Sequence, residues 1–177
     1  TSATPTVTYG ATAGTTLDVA TNEVLDALNS VAADQVKPTF TAARTALNTI
    51  VLTFSEPVTG TAILNSFTVA GASAVTNTAP STSTTVTLTT TGLTSTSGTP
   101  AVNYVDTTGD ILDNSPAANE VANGGAVSAA DQVKPTFTAA RTALNTIVLT
   151  FSEPVTGTAI SGSCTVAGES APTTNTP

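Results

Sequence analysis

The clearest alternation of hydrophobic and polar positions is NTIVLTFS at residues 48–55, where Ile50, Leu52 and Phe54 interleave with Thr49, Val51 and Thr53. A period of two marks a strand with one buried face, and Glu56-Pro57 is expected to end it. Shorter runs at 36–41, 66–70, 83–91 and 101–105 predict further strands, separated by clusters of Gly, Pro, Asn and Ser. Pro38 falls near the start of the first, where a missing N–H is tolerable. Brief stretches around 62–64 and 119–121 bring the total to about seven strands, a number that suits a sandwich of two antiparallel sheets. Ile50, Leu52, Phe54, Phe67, Val86 and Leu88 are its expected buried set. Residues 17–31 space Val19, Val24, Leu25 and Leu28 as one helix face would. The counterpart at 119–128 contains Gly124-Gly125, so this stretch reads as loop or short helix.

The pattern occurs twice. Residues 32–63 and 129–160 are identical, and the likeness then decays through FTVAG at 67–71 and CTVAG at 164–168. A weaker echo precedes each block. TPTVTY at 4–9 mirrors TPAVNY at 99–104, and Leu17-Asp18 with Asn22-Glu23-Val24 mirrors Leu112-Asp113 with Asn119-Glu120-Val121. The 97-residue offset is too long for a solenoid repeat and suits an independently folding β-domain. The expected fold is therefore all-β, with tandem antiparallel sandwiches, one complete and one split between the chain ends. Residues 33–128 form the complete repeat. Residues 1–32 supply the C-terminal part of a preceding or trans-completed repeat, and 129–177 the N-terminal part of a further one.

Composition narrows the function. Charged residues make up 9% and aromatic residues 4% of the 177, with about forty threonines in their place, a β-branched type that favours strands. The net charge of -8 with four basic residues argues against nucleic acid and a polybasic membrane anchor. No apolar run reaches the ~20 residues that span a bilayer, and an export signal, if there was one, is expected to have been removed already. There is no His, and Cys164 is the only Cys, which excludes a disulfide framework and removes the usual proton carrier of catalysis. A non-enzymatic chain is expected.

The order VKPT at 36–39, IVLTFSEPV at 50–58, SFTVAG at 66–71, a Gly-Thr-Pro plus Tyr strand and an LD…NEV ending resembles the Ig-like domains that recur in bacterial and archaeal surface-layer proteins and adhesins. The family's terminal turn carries a Gly before the Asn, and none precedes Asn22 or Asn119. The resemblance implies an extracellular or cell-surface structural protein, a self-assembling filament or layer subunit. The alternative is an adhesin stalk binding surface glycans or a host protein.

Joined, residues 129–177 and 1–32 make a second domain lacking only the equivalent of 81–95. Either the chain is an excerpt of a longer array, or neighbouring copies complement each other head to tail, a heterologous contact that yields an open filament.

Few residues offer chemistry. Asp106, Asp110 and Asp113 lie in DTTGDILD, a Gly-containing acidic turn that suits calcium. The acids shared between the copies are Asp18 with Asp113, Glu23 with Glu120, Asp34 with Asp131 and Glu56 with Glu153. Asp106, Asp110, Asp113, Glu120 and Glu56 are the candidate calcium ligands, against the simpler reading in which Asp caps turns and Glu56 solvates a loop. Lys37, Lys134 and Asn103 are weighed for an isopeptide bond, but Asn103 corresponds to Thr8, and a Lys with a packed stem and solvated head is the better reading. Cys164, replacing Phe67, is expected to be a buried, inert thiol.

Overall fold

The computed structural model describes residues 4–10, 16–24, 29–60, 66–105, 111–122, 125–157 and 164–168. Among them every regular element is a strand: β1 (Thr6–Thr8), β2 (Asn29–Val31), β3 (Phe40–Ala46), β4 (Thr49–Gly60), β5 (Phe67–Val69), β6 (Ala74–Asn77), β7 (Ser83–Thr91), β8 (Ala101–Tyr104), β9 (Ile111–Asp113), β10 (Val127–Ser128), β11 (Ala130–Asp131), β12 (Phe137–Ala143) and β13 (Thr146–Phe151). No described helix is long and apolar enough to cross a membrane.

Two sheets enclose one core. The larger runs β11-β3-β4-β7-β6, with β9 also pairing to β4, and the smaller runs β10-β8-β5. All pairings within them are antiparallel except β11 beside β3. Ile50, Leu52, Val58, Val86, Leu88 and Ile111 face inward from the larger sheet, and Phe67, Val69, Val102 and Tyr104 from the smaller, in one contiguous cluster. One aromatic pair crosses the space between them, Phe40 to Phe67 at 5.9 Å, and each ring has a second partner in its own sheet: Phe54 to Phe40 at 5.7 Å and Phe67 to Tyr104 at 5.3 Å. All six side chains expected in the core are buried. The architecture is all-β and sandwich-like.

The strand boundaries differ from the expected ones in instructive places. β3 begins at Phe40 rather than 36, because Asp34 and Pro38 hold the preceding backbone outside the ladder. β4 does not end at Glu56-Pro57. Its first half pairs with β7, its register shifts between Thr53 and Val58, and its last residues pair with β9. Pro57 lies inside that irregularity, where its missing N–H costs no ladder bond. β6 and β9 had no clear signal, being only four and three residues long. The expected strand at 119–121 is a single bridge between Leu112 and Glu120. The stretch at 62–64 and part of the helix-like stretch lie outside the described residues; Asn29–Val31, at its end, is a strand.

The flanking segments take up the shapes of their counterparts. β12 and β13 pair in the register of β3 and β4, down to the irregularity between Arg141 and Ala143 that repeats the one between Arg44 and Ala46. β1 and β2 reproduce β8 and β10: Val7 faces Ser30 as Val102 faces Val127. Ala32 donates its N–H to the Pro5 carbonyl at 3.0 Å, as Ala129 does to Pro100 at 2.9 Å. The Tyr9 hydroxyl accepts the Thr16 N–H, as Tyr104 accepts that of Ile111. Burial differs sharply. Phe137 is 60% and Phe151 41% exposed, whereas Phe54 is 4% exposed.

Candidate metal centre

Three acids from distant parts of the chain converge at one end of the core. Glu56 continues the inward phase of β4 set by Ile50, Leu52 and Phe54, and is buried. Asp34 stands ahead of β3, where its Oδ1 accepts the Val36 N–H at 2.9 Å in an Asx turn. Asp113 ends β9. One carboxylate oxygen from each lies within 4.8 Å of the others, and all three residues are buried.

Asp113 is held firmly. Its Oδ1 accepts hydrogen bonds from the Ser115 N–H (3.2 Å), the Ser115 hydroxyl (2.8 Å) and the Asn119 N–H (2.9 Å), and its Oδ2 accepts the Asn119 amide at 2.9 Å. The same Asn119 amide donates to the Asp34 carbonyl at 3.1 Å, tying two of the acids together. Burial pushes the Asp113 carboxyl up, but the bonds from Asn119 and Ser115 outweigh it and hold it below the ordinary carboxylate value. Glu56 has neither oxygen hydrogen-bonded, and Asp34 Oδ2 is likewise unpaired. The donor set is all oxygen, the kind that hard cations select.

The other candidates fall elsewhere. Glu120 accepts the Tyr104 hydroxyl at 2.9 Å through Oε1 and lies outside the three-acid cluster. Asp106 and Asp110 lie outside the described residues. Asp34 is one of the four acids whose recurrence in both copies supports a calcium site, but it was not among the named ligands. Glu56 was legible as buried only if β4 was carried past Pro57. The local turns recur in the copies: Asp18 Oδ1 accepts the Ala20 and Asn22 N–H groups and its Oδ2 the Asn22 amide, while Asp131 accepts the Val133 N–H. The Asn22 bonds hold the Asp18 carboxyl below its ordinary value too.

The remaining candidates carry less. Lys37 and Lys134 are exposed, with Asn103 facing Thr68 in the β5–β8 ladder. Cys164 is free and half-buried rather than fully buried, because it lies outside any described strand. A buried cation was not foreseen: Arg44 donates to the carbonyls of Leu47 (2.7 Å) and Gly98 (3.2 Å). No protein-family model matches the chain, and no match was found among curated proteins or solved structures.

Proposed function

We propose that the chain is an extracellular structural subunit that assembles head to tail into a filament or surface layer of Ig-like units, completing a second sandwich between neighbouring copies. The observation that carries this is the pair of pre-shaped segments flanking the complete unit. Residues 129–151 present the first hairpin of the unit with its apolar face open: Ile147 is 42% and Phe151 41% exposed. β1 and β2 present the strand pair that, in the complete unit, belongs to the opposite sheet, with Val7 60% exposed where Val102 is fully buried. Each segment exposes what the other covers in the complete unit. An isolated hairpin is marginal in water, and burial of such faces between copies is the driving force for association. A contact that joins unlike ends of identical chains propagates without closing unless the rotation returns on itself. The threonine-rich, Lys-poor, acidic composition suits a hydrated scaffold outside the cell.

Negative-stain microscopy of the purified chain tests this. Filaments or sheets are expected, and deleting residues 1–31 is expected to abolish them while the central unit still melts cooperatively. Filaments that persist after the deletion, or a chain that sediments as a monomer at high concentration, would refute the proposal.

A further inference from the structure

The geometry points to a calcium site formed by Asp34, Glu56 and Asp113, independent of how the units assemble. Three carboxylates meet within 4.8 Å, each nine-tenths or more buried, and none is paired with Lys or Arg among the described residues. Packing like charges together away from water is unfavourable unless a cation or proton offsets it. The unpartnered oxygens sharpen the point. Both Glu56 oxygens and Asp34 Oδ2 are buried with no hydrogen bond, although buried polar atoms are nearly always satisfied. Asp113, by contrast, is held in place through both oxygens by Ser115 and Asn119. Fixing a ligand through hydrogen bonds is how proteins orient metal-binding groups.

The chemistry selects the ion. Oxygen donors alone, with no imidazole or thiolate, suit hard cations over zinc or copper. Magnesium keeps several waters in a strict octahedron, whereas calcium accepts six to eight oxygens in flexible geometry, including bidentate carboxylates. Both Glu56 oxygens and Asp34 Oδ2 are free, and Asp113 Oδ2 accepts a single hydrogen bond, so four carboxylate oxygens are at hand and carbonyls or water can supply the rest. The consequence is mechanical. Asp34 precedes the first strand of the unit, Glu56 lies in the irregularity of β4 and Asp113 ends β9, so one ion fastens the entry to the unit, the long strand β4 and β9 together.

Calorimetric titration and thermal melting of the full chain, stripped with chelator, test the site. Calcium is expected to bind tightly enough that, at a hundred times its Kd, the unfolded-to-folded ratio falls about 100-fold and the melting midpoint rises by about 10 °C or more. Glu56→Gln removes one charge with little change of size. In chelator it is expected to melt no lower than the unmodified chain, since repulsion is relieved, and to lose the response to calcium. A merely structural acid would give the opposite sign in chelator. Glu23→Gln, at an exposed acid, is expected to keep the full response. No binding heat and no shift at millimolar calcium, an equal response to magnesium, or a Glu56→Gln chain that still responds would each overturn the assignment.

Discussion

Replacing Phe54 with Ala, and separately Phe151 with Ala, isolates the tertiary contribution to stability. The two residues sit in identical sequence from 32 to 63 and from 129 to 160, in hairpins of identical register. Both rings keep an aromatic neighbour across the hairpin, Phe54 with Phe40 at 5.7 Å and Phe151 with Phe137 at 5.9 Å. Strand propensity and the cross-strand ring pair therefore cancel in the comparison. What differs is burial, 4% exposed against 41%. Phe54→Ala opens a cavity between the sheets and is expected to cost about 3–5 kcal/mol, a large part of the roughly 5–15 kcal/mol that holds a domain together. Phe151→Ala, in dilute chain, is expected to cost less than about 1 kcal/mol, as a substitution at a partly exposed site does. Urea denaturation followed by near-ultraviolet circular dichroism reads the core directly, because Tyr104 packs at 5.3 Å against Phe67. Equal costs for the two substitutions, or a loss below 1 kcal/mol for Phe54→Ala, would refute the assignment of Phe54 to a core that the second hairpin lacks.

Two further outcomes are expected. Arg44→Ala leaves the Leu47 and Gly98 carbonyls without their charged donor and empties a buried volume, costing about 2–4 kcal/mol; Arg141→Ala, whose guanidinium is exposed and bonds only its own turn, should fall within about 0.5 kcal/mol of zero in the same denaturant series. Because Asp113 and Asp18 have folded-state carboxyl values below those of the unfolded chain, their contribution is fully present above the ordinary carboxylate value and is lost as pH falls through the lowered folded values. An acid titration of stability in excess chelator should therefore decline below about pH 4, and Asp113→Asn should flatten that decline; an unchanged profile in the variant would remove Asp113 from the account.

Local sequence by itself determined much of this protein. Alternation at Ile50, Leu52 and Phe54 is a property of the strand's own geometry, so both the element and its inward face could be read from the letters. The repeat shows how far that reach extends. Two identical stretches adopt the same hairpin with the same irregularity, and Asp18 and Asp113 accept the same bonds from Asn22 and Asn119, although the second turn is two residues longer. Strand pairing across a short turn and a carboxylate capping nearby N–H groups involve only neighbours in sequence. The short strands β6 and β9 escaped notice because four or three residues carry too little periodicity to read.

Tertiary structure decided the rest. The inward positions Ala42, Arg44, Ile50, Leu52 and Phe54 are buried, while Ala139, Arg141, Ile147 and Phe151 in the second copy are exposed and Leu149 is half-buried, since burial depends on which strands lie across the sheet and not on the strand itself. The acidic cluster is decided the same way. Asp34, Glu56 and Asp113 are far apart in the chain, and the acid-rich turn around Asp106 and Asp110 was the stronger local signal. Only the continuation of β4 past Pro57, into pairing with β9, carries Glu56 inside and brings Asp113 alongside it. Proximity of that kind is set by which strands pair over long separations, information that no stretch of the sequence contains alone.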